Sequence, residues 1–418
     1  MRVERLGPDA TAADVRGTAP AADVEDDVRA ILAEVRDGGD AAVRRLTERF
    51  DRAGLAPDEL AVPPAELDAA AGTLEPAVLA GLREAIANVR AVARAQLRDP
   101  VRVELEAGHS VEVGEVPVRR AAAYVPGGRA PYPSTVVMCA VTAREAGVDE
   151  LAVCAPPGPG GRAHPAILAA CALCGVTEVY RMGGAQAIGA LAHGTESVRP
   201  VDVIVGPGNR WVVEAKRQVV GLVGIDGLAG PSELVVLASA GADPELLALD
   251  LLAQAEHGGD ALLAAVSPDP GLLDEIGAAV RALAPERPSA AAEALALVEV
   301  RDAAAGLRLA DAIAPEHLQL AGADAEALSG RVRSAGAVFV GREAGTAFGD
   351  YVAGSNHVLP TGGAARFQGG LSVATFRRRM ARVSLPRSAA ARLAPPAAAL
   401  ARAEGFPVHG ESMERRAG

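Results

Sequence analysis

The first fifth of the chain has the hydrophobic spacing of amphipathic helices. Apolar positions recur at intervals of three and four within 23–37, which predicts a helix that ends at the glycine pair following it. Further helices are predicted over 40–50 and over 67–97, the latter interrupted at 72–76. The alternating segment 101–120 contains two glycines, which predicts a hairpin.

From residue 121 onward, short apolar runs alternate with helix-forming stretches. Strands are predicted at 122–125, 150–155, 178–180, 201–205, 233–238, 261–267, 295–300, 318–321 and 337–340. Helices are predicted at 134–138, 165–174, 183–191, 211–220, 245–257, 269–284 and 302–313. Alternation with these lengths predicts mainly parallel sheets covered by helices on both faces, in two α/β halves of similar build.

The last forty residues have a different pattern, in which Pro386, Pro395-Pro396 and Pro407 separate predicted helices. The sequence therefore predicts an α/β protein with a helical N-terminal segment and a C-terminal tail. The predicted parts are a segment 1–25, a first α/β domain from 26–121 with 233–376, a second from 122–232, and a tail 377–418.

Composition restricts the possible partners and the cellular location. The formal net charge is −12, and no basic patch interleaved with aromatic residues occurs, so a nucleic-acid or anionic-membrane partner is not expected. The N-terminus does not resemble a signal peptide and no apolar run reaches transmembrane length, which predicts a cytoplasmic protein. Cys171 and Cys174 form a C-x-x-C inside an apolar helix, which indicates buried core more than a redox or zinc site.

Gln254 and His257 lie three residues apart at the end of the helix predicted over 245–257, after a cap at Asp243. Residues at this spacing project from one face, so an amide oxygen and an imidazole could bind one divalent metal. The alternative is a histidine that only lies near the negative end of a helix. One turn does not decide between these interpretations.

Three other polar segments contain histidine. Glu316-His317 precedes a predicted strand, where an acid and a base could divide proton-transfer work, or where both could be exposed loop residues. His357 lies in a glycine-interrupted loop with Asp350 and Asn356, which is either a site or a polar surface loop. His409, near the C-terminus, carries no signal of function by itself.

Two glycine segments indicate nucleotide binding only incompletely. The strand predicted at 122–125 enters Pro126-Gly127-Gly128, and a cap at Ser134 opens the next helix, as in one half of a phosphate-accommodating α/β unit. Gly206-Pro207-Gly208 also precedes a helix, but it lacks the third glycine of the dinucleotide fingerprint.

Taken together, eight motifs in one order and spacing resemble the histidinol dehydrogenase family, from about Val24 to His409. The motifs are Tyr124-Val125-Pro126-Gly127-Gly128, Gly183-Gly184-Ala185-Gln186-Ala187, Gly206-Pro207-Gly208-Asn209, Gly230-Pro231-Ser232-Glu233, Gln254-Ala255-Glu256-His257-Gly258, Pro315-Glu316-His317, Gly349-Asp350-Tyr351 with Asn356-His357-Val358-Leu359-Pro360-Thr361, and Gly370-Leu371-Ser372-Val373. The resemblance implies two Rossmann-like α/β/α domains with an incomplete nucleotide fingerprint. It also implies a zinc-dependent, NAD-linked enzyme that oxidises L-histidinol to L-histidine through an aldehyde.

The resemblance also implies roles for particular residues. Its zinc ligands, one ion per subunit, are Gln254, His257, Asp350 and His409. His317 is the base that accepts the alcohol proton, and Glu316 activates the water that hydrates the aldehyde. The substrate contacts are Ser232, Gln254, His257, His317, Asp350, His357, Glu404 and His409. The NAD contacts are Tyr124, Gln186 and Asn209.

Glu404 and His409 belong to the tail, which in the family reaches the neighbouring subunit, so the resemblance implies a homodimer with shared active sites. The chain departs from the family pattern at Cys139, Thr142 and Gly227, which lie near pockets that could shift substrate preference. The alternatives are a related dehydrogenase of another small primary alcohol such as a sulfonated diol, a zinc hydrolase, and a non-catalytic homologue. An intact Glu404 carboxylate favours histidinol over the sulfonated diol.

Overall fold

The computed structural model describes residues 1–17, 23–127, 130–158, 160–258, 260–290 and 294–417. The chain forms two compact units, the first made of Met1–Ala95 with Arg119–Phe376 and the second of Gln96–Val118 with Arg377–Gly418. Gly128 of the predicted phosphate turn and Gly259 of the predicted helix stop lie outside the described residues. The finer four-part division predicted from the sequence stays a prediction.

Within the described residues the strands agree closely with the hydrophobic runs. They are β1 (Arg2–Leu6), β2 (Val101–Glu104), β3 (Ser110–Pro117), β4 (Arg120–Tyr124), β5 (Glu150–Ala155), β6 (Glu178–Arg181), β7 (Val203–Val205), β8 (Gly224–Ile225), β9 (Glu233–Ala238), β10 (Leu262–Ser267), β11 (Ala294–Glu299), β12 (His317–Ala321), β13 (Ala337–Val340) and β14 (Arg377–Ser384). The sequence pattern did not predict β1, β8 or β14. Strands β1 and β8 are short, and β14 lies in the tail, which was interpreted as helical.

The helices follow the capping and periodicity signals in most places. They are α1 (Ala12–Arg16), α2 (Glu25–Asp51), α3 (Pro64–Ala70), α4 (Pro76–Ala95), α5 (Pro133–Glu145), α6 (Pro165–Leu173), α7 (Gly184–His193), α8 (Arg210–Val219), α9 (Pro244–Ala255), α10 (Pro270–Leu283), α11 (Ala303–Ile313), α12 (Ala323–Glu326), α13 (Thr346–Tyr351), α14 (Arg387–Ala403) and α15 (Pro407–Ala417). Among the described residues, no helix has the length and apolar composition needed to cross a bilayer.

The predicted helix pair near the N-terminus is present as one helical segment, α2, divided at Gly39. The backbone there has φ 53° and ψ −142°, a left-handed φ that glycine adopts without steric cost. The Glu196 carboxylate accepts a hydrogen bond from the backbone N–H of Asp40 at 2.7 Å, just after the break. The predicted interruption is therefore confirmed, and two helices meet at a kink at Gly39.

In the first unit, one sheet has the strand order β1-β11-β10-β9-β12-β13, and all of its described pairs are parallel. Alternate residues of β9 enter two different cores, Leu234 and Val236 against α9 and α10, and Val235 and Leu237 against α11. Helices therefore cover both faces, which confirms the prediction from continuous apolar runs. The strand order reverses between β9 and β12.

The other sheet of this unit has the order β6-β5-β4-β7-β8, again with parallel pairs. Residues of α2, α7 and α8 share one hydrophobic core with β4, β5, β6 and β7. The strand order reverses between β4 and β7, the position at which open α/β sheets commonly bind ligands. Tyr124 ends β4 and Gly206 follows β7, so both predicted nucleotide segments meet at this reversal.

The second unit contains an antiparallel sheet, β14-β3-β2, and two helices. The predicted hairpin of β2 and β3 is confirmed, but the expectation that prolines separate helices is wrong at Pro395 and Pro396. Both lie inside α14, which buries Ala389, Ala394 and Ala398 and packs on α15. Packing of this apolar face outweighs the lost backbone hydrogen bonds, because tertiary contacts contribute more to helix stability than propensity does.

Candidate active site

Helix α9 brings two predicted metal ligands into the first unit. Its cap is confirmed, since Asp243 Oδ1 accepts from the backbone N–H of Glu245 at 3.1 Å and of Leu246 at 3.3 Å. The helix ends at Ala255, however, so His257 lies in the following turn and not on the last helical turn as predicted. Only Gln254 is on the helix, where it is buried, and its Nε2 has no hydrogen-bond partner among the described residues.

Asp350, on the short helix α13, lies between two histidines. Its Oδ2 is 4.0 Å from His257 Nε2, and its Oδ1 is 3.9 Å from His317 Nε2. Neither distance is a hydrogen bond. The three side chains come from a turn after α9, from the first residue of β12 and from α13, so only the tertiary structure assembles them.

This arrangement is compatible with a zinc ion. Donors about 2.0–2.2 Å from a tetrahedral zinc ion lie about 3.3–3.6 Å apart, so the 4.0 Å between His257 Nε2 and Asp350 Oδ2 would shorten by about half an ångström if both bound the ion. Gln254 is buried, and its side-chain amide oxygen is the atom that would bind such an ion. Across the described ranges no group of three His, Cys, Asp or Glu is arranged for a metal.

Glu316 and His317 form a buried pair, so the exposed-loop alternative is wrong. Glu316 is 6% exposed and His317 is 3% exposed. His317 is the first residue of β12 and pairs with Leu234, the second residue of β9. Glu316 and His317 therefore lie where the amino ends of these two adjacent strands meet. The carboxyl ends of strands are the usual location of α/β sites, so the expectation based on strand-end position is wrong about the edge of the sheet at which these two residues lie.

Hydrogen bonds fix the tautomer of His317. Nδ1 lies 3.0 Å from the backbone carbonyl oxygen of Glu233 and 3.4 Å from Glu316 Oε2. A carbonyl only accepts, so Nδ1 carries the proton and donates, and in the neutral ring Nε2 holds the lone pair. Burial opposes protonation, but the hydrogen bond and charge of Glu316 and the charge of Asp350 together raise the pKa of His317 above its ordinary value. Nε2 is therefore a competent proton acceptor.

His357 is held between two elements rather than exposed on a surface loop. Its Nδ1–H donates to the backbone carbonyl of Asp350 at 2.9 Å, so its Nε2 accepts from the Thr135 hydroxyl at 3.1 Å. Burial lowers the pKa of His357, which favours the neutral imidazole. Thr135 lies in the first turn of α5, where Tyr132 and not Ser134 is the cap position, because Pro133 occupies the first helical position.

The predicted nucleotide contacts surround the strand-order reversal of the second sheet. The Tyr124 hydroxyl accepts from the backbone N–H of Gly184 at 3.2 Å, and burial raises the pKa of this phenol. Gln186 is buried two residues later, with Nε2 3.4 Å from Asp51 Oδ2. Asn209 caps α8, its Oδ1 accepting from two backbone N–H groups. This cap leaves the Asn209 amide nitrogen available for another acceptor.

The remaining predicted substrate residues divide between the two units. Ser232 is half-buried immediately before β9, next to Glu233. Glu404 and His409 belong to the second unit, where both are exposed. Glu404 is the residue that follows α14. His409 lies on α15, and its ring is edge-to-face with the Phe406 ring at 5.3 Å between centroids.

Sequence reasoning missed two residues that lie near Glu316 and His317. Glu233 ends the Gly230-Pro231-Ser232-Glu233 motif, but the sequence alone assigned it no role. A charged residue at the start of an otherwise apolar strand indicates a buried carboxylate that has a partner. Arg16 donates to this carboxylate at 2.7 Å although 217 positions separate the two residues. No local sequence pattern indicates this pairing. Long-range charge pairing of this kind becomes visible only in the folded chain.

Two of the three departures from the family pattern have a structural role. The Thr142 hydroxyl donates to the Met138 carbonyl at 2.6 Å and accepts from Asn356 Nδ2 at 3.3 Å, so it supports the residue before His357. A Cβ atom at Gly227 would lie 2.0 Å from Gln368 Nε2, which donates to the Asp226 carbonyl at 2.5 Å. The absence of a side chain at residue 227 therefore makes room for Gln368. Cys139 is buried within α5.

Comparison with known proteins identifies relatives that match nearly the whole chain. The family model described as histidinol dehydrogenase matches residues 15–417. The histidinol dehydrogenase of Cereibacter sphaeroides is 46% identical, over 94% of this chain and 92% of that protein. The Thermobifida fusca histidinol dehydrogenase is 44% identical, over 99% of this chain and 97% of that protein.

A solved structure shows the same fold. A crystal structure of histidinol dehydrogenase from Elizabethkingia anophelis superposes with a TM-score of 0.93 at 30% identity, covering 100% of this chain and 98% of that one. The resemblance inferred from eight motifs is thereby confirmed over almost the whole chain. The chain belongs to the histidinol dehydrogenase family.

Proposed function

We propose that this chain oxidises L-histidinol to L-histidine in two successive NAD-dependent steps through the aldehyde, as part of histidine biosynthesis. Family membership supports the reaction, and the single observation that carries it is the geometry of His317. Its Nδ1–H is held by a backbone carbonyl, so that Nε2 is the proton-accepting atom. Each histidinol consumes one water and two NAD+, and yields two NADH.

In the first step His317 Nε2 takes the hydroxyl proton while the carbinol carbon transfers hydride to NAD+. The resulting aldehyde has no hydrogen-bearing oxygen, so it must add water before a second hydride can leave. Glu316, adjacent to His317 and equally buried, is the carboxylate proposed to accept a proton from that water. His317 then acts again on the hydrate in the second hydride transfer.

Gln254, His257 and Asp350, with His409 of a second copy of the chain, are the proposed zinc ligands. Zinc would hold the imidazole and amino nitrogens of the substrate and so orient its alcohol. The separation of 4.0 Å between His257 and Asp350 supports the assignment. Among the substrate contacts, Ser232, His357 and Glu404 complete the proposed set.

The cofactor site is proposed at Tyr124, Gln186 and Asn209, in the second of two Rossmann-like domains. The reversal of strand order beside Tyr124 supports this placement. Because Glu404 and His409 are needed from the tail, the proposed enzyme is a homodimer with shared active sites. A monomer would then lack one metal ligand.

The proposed function is tested by NADH absorbance with L-histidinol, before and after chelation and again with zinc restored. Two NADH per histidinol, lost on chelation and recovered with zinc, are expected. Turnover of another small alcohol in place of histidinol would favour the related dehydrogenase. Ester or amide cleavage without NAD would favour a zinc hydrolase, and no turnover of either kind would leave a non-catalytic homologue.

A further inference from the structure

Glu233 contacts both members of the proposed catalytic pair. Its backbone N–H donates to Glu316 Oε2 at 2.9 Å, and its carbonyl accepts from His317 Nδ1–H at 3.0 Å. In return, Glu233 Oε2 accepts from the backbone N–H of Glu316 at 3.2 Å. Three hydrogen bonds therefore tie the start of β9 to the start of β12 at the two residues proposed to move protons.

The carboxylate of Glu233 is almost fully buried, with 5% of its side chain exposed, so it requires a cation. Arg16 at the end of α1 supplies that cation. Its Nη1 donates to Glu233 Oε1 at 2.7 Å and its Nη2 to Oε2 at 3.4 Å. The Arg16 guanidinium is fixed in turn by the Ile313 carbonyl at 2.5 Å, and Gly362 N–H also donates to Oε1 at 2.9 Å.

We propose that Arg16 and Glu233 are positioning residues, which hold Glu316 and aim Nε2 of His317 toward the substrate. The proposal rests on the proposed roles of Glu316 and His317, through which both residues act. Its physical basis is that the Glu233 carboxylate and the Glu316 backbone are linked directly. A shift of the carboxylate releases the Glu316 backbone N–H, and it disturbs the residue whose backbone N–H and carbonyl hold Glu316 Oε2 and His317 Nδ1. Small misplacements of reacting groups slow enzymes strongly.

The pair differs from the other arginine pairings of the N-terminal segment. Arg5 contacts Asp274 with 37% and 72% of the two side chains exposed, and this contact involves no residue of the candidate site. Exposed ion pairs contribute little to stability. Arg5→Met is therefore a matched control that removes an arginine from the same segment.

The experiment compares Arg16→Met, Glu233→Gln, the double variant and Arg5→Met, all as the full chain loaded with zinc. The kcat and KM for histidinol are measured at saturating NAD+, well below the melting temperature, together with zinc content and melting temperature. Arg16→Met leaves a buried carboxylate without its cation, so kcat should fall about tenfold or more while KM changes less than about threefold. The double variant should recover part of the lost kcat, because the uncompensated charge is gone.

A purely structural role gives a different pattern. If Arg16→Met lowers only the melting temperature and keeps the kcat of the unaltered chain, the proposal is overturned. Should Arg16→Met not fold, the double variant and Arg16→Lys, which retains a cation, decide the question. A kcat equal to that of the unaltered chain in the double variant rejects the proposal, and a reduced kcat at unchanged KM in that variant supports it. Arg16→Lys should have a kcat closer to that of the unaltered chain. Absence of histidinol turnover by the unaltered chain rejects the proposed function as well.

Discussion

His257 Nε2 and Asp350 Oδ2 lie 4.0 Å apart although 93 positions of sequence separate the two residues. The first follows α9 and the second lies on α13, so the approach depends on how these helices pack. An imidazole and a carboxylate are donor types suited to zinc. The first prediction follows from this relationship.

Asp350→Asn should weaken zinc binding by at least about tenfold, because an anionic oxygen donor becomes neutral while its shape is kept. Zinc affinity is measured by competition with a chromogenic chelator. Asp324→Asn, an exposed aspartate of the same unit, is the control and should bind zinc like the unaltered chain. Equal zinc affinity in the two variants would remove Asp350 from the ligand set.

Glu316→Gln and His317→Asn should affect different steps. With Glu316→Gln, we expect the reaction to stop at the aldehyde, giving one NADH per histidinol, since the water is no longer activated. With His317→Asn, both oxidations should slow by about 10²–10⁴-fold, the usual contribution of general base catalysis. NADH stoichiometry and single-turnover rates distinguish the two results, with exposed Glu343→Gln as control. Equal loss of both steps in Glu316→Gln would contradict the assigned roles.

Gly206→Ala should disrupt the proposed cofactor site. The backbone has φ 112°, and an added Cβ would lie 2.0 Å from the carbonyl oxygen of Tyr124. Gly221→Ala is a matched control, because its φ is 97° but open space surrounds the added carbon. Both variants carry backbone strain of about 1–2 kcal/mol, so the excess loss in Gly206→Ala measures the clash. Fluorescence titration with NADH should show weaker binding in Gly206→Ala than in Gly221→Ala.

Lys216→Met should lower the free energy of unfolding by about 3–5 kcal/mol, because it leaves the buried Asp226 carboxylate without a cation. Lys216 Nζ donates to Asp226 Oδ1 at 2.5 Å and to the Gly206 carbonyl at 2.6 Å. Arg217→Met, at the exposed neighbouring position, should change the free energy of unfolding little. Urea denaturation of the two variants checks the difference, and a loss of similar size in both would argue against a buried ion pair.

The contribution of Asp51 to the free energy of unfolding should fall as pH rises. Burial raises the pKa of Asp51 to about 6, above the unfolded value of about 3.9. The stabilising contribution is therefore full below about pH 4 and is lost as pH rises through about 6. Asp51→Asn should raise the melting temperature at pH 7.5 but not at pH 4, provided that the amide keeps the contact with Gln186.

Asp37 is the comparison of opposite sign for the same measurement. A hydrogen bond from Arg36 lowers the pKa of the Asp37 carboxyl, so its contribution is present above the unfolded pKa and is lost as pH falls. Asp37→Asn should therefore not gain stability at pH 7.5. A gain in both variants at that pH would show that general charge reduction, and not burial of Asp51, is responsible.

Much of the secondary structure could be predicted from local pattern. Continuous apolar runs predicted β9 and β10 because strands buried on both faces of a parallel sheet are apolar at every position. The cap at Asp243 predicted a helix start because its side chain satisfies backbone N–H groups within three residues. These signals are local, so tertiary context was not needed to interpret them.

Other features depended on partners distant in sequence. The edge strand β1 exists because it pairs with β11, nearly three hundred residues later. Helix α14 passes through Pro395 and Pro396 because its alanine face packs on α15. Local propensity does not predict β1 and opposes a helix through the two prolines. The free energy of burial stabilises both elements.

The candidate site divides in the same way. Residue types and motif order by themselves identified Glu316, His317, Gln254, His257 and Asp350 as the residues to examine, since each carries the chemistry in its own side chain. Only the tertiary structure decided which nitrogen of His317 holds the proton, at which end of the sheet the pair lies, and that Arg16 neutralises Glu233. The physical reason is that hydrogen bonds and buried charges depend on distances of a few ångströms, which chain folding sets and sequence spacing does not.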